Sequence, residues 1–177
     1  MSWQERLIRS YRTLFVRTFR GVEYSPGYPV CSDGWQHIVW RLAERVDAAS
    51  EGSAVGFTQI IAQHGMLRIH WTSRSEVSRR AELSIEEAVG LAAARSVCTC
   101  VDCGAEGRLF ACGFLLFPAC KIHQRGILVP AIREHVYVRR GIVGGRPALV
   151  HCRYDRAEDV FVDLPTQSVR PEESRDG

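Results

Sequence analysis

The stretch "CTCVDCGAEGRLFACGFLLFPACKIH", Cys98 to His123, holds five of the chain's seven cysteines. Two short pairs stand out, Cys100-x-x-Cys103 and Cys120-x-x-His123, with sixteen residues between them. Two ligands two residues apart in a tight turn can each supply one edge of a metal tetrahedron. Gly104 follows the first pair and lets the backbone bend round the sulfur atoms, and Pro118 opens the second. The spacer falls in the zinc-site range, and its "GRLFACGFLLF" has the size and the Gly113 of a hairpin. Cys100, Cys103, Cys120 and His123 are therefore the expected ligands of one structural Zn2+. A helix starting near Cys120 would make the unit a treble-clef or zinc-ribbon-like finger. Four protein ligands close the site, whereas catalytic zinc keeps one position for water. Two alternatives stay open: Cys98 or Cys112 can replace His123 as a ligand, or both can simply pack as small hydrophobes, as Cys31 and Cys152 are expected to. A redox role for Cys100-x-x-Cys103 would need a strand before it and a helix after it, and the pattern offers neither.

The composition bounds the rest. A chain of 177 residues with 46% apolar and 24% charged side chains can bury a core without disulfides. No apolar run is long enough for a membrane span, and the N-terminus lacks the apolar core of a secretory signal. Clustered cysteines without such a signal fit a reducing cytoplasmic setting and metal ligation better than disulfides. A transit peptide is the rival reading of the Arg-rich first segment. The net charge of +3 neither demands nor excludes nucleic acid, but Lys121 is the only lysine among 23 basic side chains. Arginine suits phosphate forks, and a GC-rich genome accounts for the same bias.

Outward from the cluster, residues 3–19 carry apolar side chains at helical spacing, with Arg6, Arg9, Arg12, Arg17 and Arg20 against a single acid, Glu5. The loop "EYSPGYPVCSDGW" leads to a helix with Trp35, Ile38, Val39, Leu42 and Val46 on one face, capped by Ser32 or Asp33. "VGFTQIIA" and "MLRIHW" read as a hairpin turned at His64-Gly65. Ser84 and Glu87 have capping-box spacing at the start of a helix that runs into the cysteines. Beyond the cluster, "EHVYVRRG", "RPALVHCRYD" and "DVFVDL" alternate with period two and promise a small antiparallel meander. The expected fold is α+β: an α-β-β-α region over 1–97, a finger over 98–126, a meander over 127–166 and a disordered polar tail over 167–177.

Several of these pieces line up. The chain has "RSYRTLF" at 9–15, "CSDGWQHIVWRL" at 31–42, "AQHGMLRIHW" at 62–71, "CVDCGAEGRL" at 100–109 and "FPACKIH" at 117–123. Over about residues 7–123 it resembles a widespread group of small uncharacterised bacterial and phage proteins with CGDGW, KEKFGGLRFY-like and CxxCG…CxxH motifs. The resemblance implies that Cys100, Cys103, Cys120 and His123 form the cluster. It also marks Cys31, Gly34 and Trp35 as one shared turn, and Gly65, Leu67 and Arg68 as the shared hairpin. Ile61-Ala62-Gln63 replaces the group's charged Lys-Glu-Lys, and Met66 replaces its second glycine. The group carries no established activity, so the resemblance implies architecture more than function.

Three functions compete. The first is a non-enzymatic zinc-stabilised interaction protein that contacts nucleic acid or a nucleic-acid-associated assembly. The second is a protein-binding inhibitor or adaptor, such as an immunity or anti-defence protein of a mobile element. The third is a finger-containing nuclease, for which "QRGILVPAIREH" offers only His135. No HExxH, P-loop or nucleophile-elbow pattern is present. The candidate partner surface comprises Arg6, Arg9, Arg12 and Arg17 of the first segment, the pairs Arg79/Arg80 and Arg139/Arg140, and Trp35. Tryptophan is enriched in interface hot spots, though a core tryptophan is the plainer reading.

Overall fold

The computed structural model describes residues 1–130 and 136–165. The fold is mixed α+β, as the sequence pattern implies. The expected tail over 167–177 lies outside the described residues.

The first segment is not one helix. Helix α1 (Trp3–Ser10) is opened by a capping box, in which Ser2 accepts from the Glu5 amide while the Glu5 carboxylate accepts from the Ser2 amide. A short α2 (Arg12–Phe15) follows, and Val16 is already extended. Val16, Thr18 and Phe19 favour strand over helix. Arg20 and Gly21, both with positive φ, then turn β1 (Arg17–Phe19) back on β2 (Val22–Tyr24). Helical spacing alone could not separate the two states, because the inward side chains Leu14 and Phe15 fit both.

The turn at 31–35 is a short 3-10 helix (Asp33–Trp35) that leads into α3 (Gln36–Ser50). Neither Ser32 nor Asp33 caps α3. The Asp33 carboxylate instead accepts from the Trp3 indole N–H at 2.8 Å, which ties α1 to this turn. β4 (Val55–Gln63) and β5 (Met66–Ser73) form the expected hairpin, with His64 and Gly65 both at positive φ in the turn. β3 (Pro29–Val30) adds a parallel edge to β4. A bulge between Phe57 and Gln59 shifts the alternation, so Val55, Phe57 and Ile60 all face inward. Helix α4 (Arg79–Val97) begins earlier than the Ser84 box suggests. Ser78 is its cap, accepting from the Ala81 amide at 3.1 Å.

α3 and α4 pack on one another, and α4 lies on β5. Leu7, Phe15, Trp35, Val39, Leu42, Phe57, Ile60, Leu67 and Ile85 fill the main core. After α4 come β6 (Arg108–Cys112) and β7 (Leu115–Ala119), paired as a hairpin, with β8 (Ile127–Leu128) on the far edge of β6. Among the described residues no helix follows Cys120: residues 121–123 form a turn that leads to β8, where a treble clef would have its helix. β9 (Val136–Val143), β10 (Arg146–Asp155) and β11 (Val160–Asp163) form the expected antiparallel meander, turned at Gly144-Gly145 and docked on α4.

Arg17 departs most from its expected place. It belongs to the core, 7% exposed, rather than to a partner surface. Its Nη1 donates to the carbonyls of Thr13 and Val16 at 3.1 Å each, and its Nη2 has no partner among the described residues. Burial, then the charge of Arg74, makes its guanidinium easier to deprotonate than usual. An unpaired charge in a core costs several kcal/mol, and an apolar side chain of similar volume is often as good or better. Arg17→Met is therefore expected to leave stability unchanged or to raise it by about 1–2 kcal/mol in urea unfolding. A loss of that size would show that the two carbonyl contacts outweigh the buried charge.

Candidate metal centre

The chain enters the centre from the C-terminus of α4. Thr99 and Glu106 form an isolated bridge that closes the first loop. Inside it the Gly104 amide donates to the Cys100 carbonyl at 3.0 Å, and the Cys100 amide donates to the Ala105 carbonyl at 2.8 Å. Gly104 takes a φ of +77°, which the bend requires. The second loop is simpler: the His123 amide donates to the Cys120 carbonyl at 3.1 Å. The β6–β7 hairpin brings the loops together, and the Val101 amide donates to the Pro118 carbonyl between them at 3.0 Å. Arg125 pairs with Asp102 at 3.0 Å and lies over the Phe117 ring, so side chains tie the loops as well.

The result is one cluster. The Cys103 and Cys120 sulfurs are 3.7 Å apart, and Nδ1 of His123 lies 3.6 Å from Cys100 Sγ and 3.3 Å from Cys120 Sγ. All four donor atoms lie within 4.8 Å of one another and could hold a metal ion. Cys100 and Cys120 are buried, His123 is half-buried and Cys103 faces solvent. Backbone amides aim at the sulfurs. The amides of His123 and Ile122 hold the Cys120 thiol below its usual range. Burial pushes Cys100 up, but the amides of Cys120, Cys103 and Asp102 together bring it down. Thiolate character is what a metal ligand needs.

The other cysteines do not compete. Burial, then the charge of Asp33, pushes the Cys31 thiol up to about 12. Burial likewise raises Cys98 and Cys152. Cys98 donates to helix carbonyls of α4 and Cys152 to the Tyr137 carbonyl. Cys112 is exposed at the end of β6, so the expectation that it packs is corrected. Neither Cys98 nor Cys112 joins the four-donor cluster.

Trp35 sits beneath the centre, not on the surface, because it is 1% exposed. Its indole N–H donates to the Thr99 carbonyl at 2.8 Å, and the Gly34 amide donates to the Val101 carbonyl at 2.9 Å. The turn that precedes α3 is thus bonded to the first metal loop. Position 34 has no room for a side chain. A Cβ there would lie 2.4 Å from the Cys100 carbonyl oxygen and 2.5 Å from that of Val101.

The candidate basic surface is dispersed, and half of its arginines are paired with acids. Arg12 pairs with Glu23, Arg79 with Glu82, Arg139 with Asp163, and Arg140 with Glu82 and Glu86. Arg6, Arg9 and Arg80 are exposed. His135 lies outside the described residues. Sequence reading missed a different cluster, in which Arg41, Arg45 and Arg95 surround a buried Asp159. Its one trace in the sequence is His37, Arg41 and Arg45 at steps of four along α3, a stripe that places them on one helix face.

No family model, curated protein or solved structure matches the chain.

Three substitutions probe this centre. Gly34→Ala is expected to cost about 2 kcal/mol or more, because only backbone can yield to the new methyl. It should also loosen metal retention, read as faster capture of the ion by a chromogenic chelator. Cys100→Ser should abolish metal retention, whereas Cys112→Ser should leave metal content and stability unchanged.

Proposed function

We propose that the chain is a non-enzymatic interaction protein held together by a structural zinc ion, and that it contacts nucleic acid or a nucleic-acid-associated assembly. The observation that carries the first half is the closed set of four donors. Zinc–sulfur bonds of about 2.3 Å and zinc–nitrogen bonds of about 2.0 Å at the tetrahedral angle put donor atoms about 3.5–3.8 Å apart. The separations of 3.7 and 3.6 Å match that frame, and the third, 3.3 Å, is slightly shorter. Three sulfurs and one imidazole suit zinc, a borderline-soft ion without geometric preference of its own. With four protein donors the ion has no position for an activated water. Cys100, Cys103, Cys120 and His123 would hold it, and the chemistry it supplies is cross-linking of the two loops.

The second half rests on arginine. The chain carries its positive charge almost wholly as guanidinium, the group that meets phosphate through paired N–H donors. A protein partner is the second reading, favoured by an exposed apolar fingertip. Phe114 at the β6–β7 turn is fully exposed, with Leu115, Ile122 and Ile127 also largely exposed.

Removal of the ion by chelation is expected to lower the unfolding midpoint by at least about 5 °C, because ligands gathered by folding couple metal binding to stability. Acidification should release the ion as protons compete for the thiolates. A midpoint indifferent to chelation would end the structural-zinc reading. Single- and double-stranded oligonucleotides should shift in native gels at low salt and release steeply as salt rises. Absence of any shift, with stoichiometric capture of one protein from the native host, would favour the protein-binding reading instead.

A further inference from the structure

The turn between β10 and β11 carries Asp159, buried and at a positive φ of 56°. Its carboxylate meets Arg41 at 3.2 Å, Arg45 at 2.9 Å and Arg95 at 3.7 Å, and accepts from the Tyr154 hydroxyl at 2.5 Å. Arg156 of the same turn stands beside them. Its carbonyl accepts from Arg95 at 2.8 Å and its Nε donates to the Cys98 carbonyl at 3.3 Å. Three guanidiniums share one carboxylate, each with five N–H donors in a rigid fork. One carboxylate can occupy only a few of them. Arg45 and Arg95 are well shielded from solvent, while Arg41 is more than half exposed at the mouth. Like charges held this close in a partly closed cleft repel, and an anion relieves that repulsion.

The geometry points to a phosphate-binding site in the cleft between α3, α4 and the β10–β11 turn, with Arg41, Arg45 and Arg95 as donors, Asp159 orienting the forks and Arg156 adding positive charge from beside the cleft. This rests on the nucleic-acid reading above for the owner of the phosphate, and it moves the contact away from the arginines of the first segment. His37 lines the same cleft, one turn before Arg41. Burial, then the fields of Arg95, Arg156 and Arg41 against the pull of Asp159, hold its imidazole below the usual range. The positive potential is therefore felt at the rim. His37 and Arg41 also border a neighbouring open groove that contains Tyr11 and Trp40. Those two rings meet edge to face with centroids 6.0 Å apart. An aromatic shelf beside a phosphate site fits a nucleotide base. Glu44 also lines that groove, and its negative charge would disfavour phosphate away from Arg41.

The test uses the full chain with its metal, titrated with inorganic phosphate and, separately, with a short single-stranded oligonucleotide. Phosphate should bind saturably and raise the His37 pKa, followed by NMR. Arg41→Gln and Arg156→Gln should each weaken phosphate about tenfold or more, since the first removes charge-assisted hydrogen bonds and the second removes a positive charge beside the cleft. Arg146→Gln, on the distant β9–β10 turn, should not. Asp159→Asn should gain more thermal stability from phosphate than the parent chain does; if it fails to fold, Arg156→Gln still decides. Phosphate that does not bind saturably, or whose affinity both arginine variants leave unchanged, overturns the site. Phosphate binding without oligonucleotide binding supports the site and removes the nucleic-acid reading. Oligonucleotide binding that survives Arg41→Gln and Arg156→Gln, without phosphate binding, keeps that reading and overturns the site.

Discussion

The rest of the structure depends on one contact, the seating of Asp33-Gly34-Trp35 against the loop that starts at Cys100. Two hydrogen bonds make it, from the Gly34 amide to Val101 and from the Trp35 indole to Thr99. Both acceptors are backbone carbonyls at the entrance to the metal centre, so the contact holds only when that loop is correctly folded. Asp33 extends it to α1 through the Trp3 indole. On the other side, Trp35 is part of the main core with Val39 and Leu42. The finger is therefore not an appendage. A metal in the centre would fix the floor on which α1, α3 and the core are assembled, so its stabilisation would reach well beyond the finger.

This contact also explains which features the sequence shows. The four clustered donors were legible because a metal-site pattern acts through short, local spacing, and the flanking glycine and proline mark the bends. The β4–β5 hairpin and the C-terminal meander were legible for the same reason, since two-residue turns and period-two alternation are local signals. Trp35 was legible in part: a core position is the plainer reading of its apolar helix face, but its bond to Thr99, sixty-four residues later, has no local signal. The breakdown of the first helix was hidden likewise, because β1 exists only once β2 returns beside it.

Charge was the least legible property. A sequence counts charges, but their effect depends on partners that the fold chooses. Arg139 and Arg140, an apparent basic pair on one strand, point to opposite faces and meet different acids, Asp163 for one and Glu82 and Glu86 for the other. Arg17, apparently one more residue of a basic face, is enclosed by the chain that surrounds β1. Meanwhile three arginines from α3 and α4 converge on the single carboxylate of a distant turn, and no short window of sequence contains them all.

That convergence changes how the C-terminal sheet is understood. Its inner face packs on α4 through Phe161, Tyr137 and Tyr154, which contact one another edge-on or tilted. Apolar packing of this kind sets an area of contact but tolerates sliding. Asp159 does not: a buried carboxylate must find its guanidiniums, and their directional forks fix where the turn sits. Arg156 then links that turn to the Cys98 carbonyl, at the point where α4 ends and the metal centre begins. The sheet, both long helices and the finger thus meet at one polar junction. An anion bound there would add contacts between that turn and the two helices that face it.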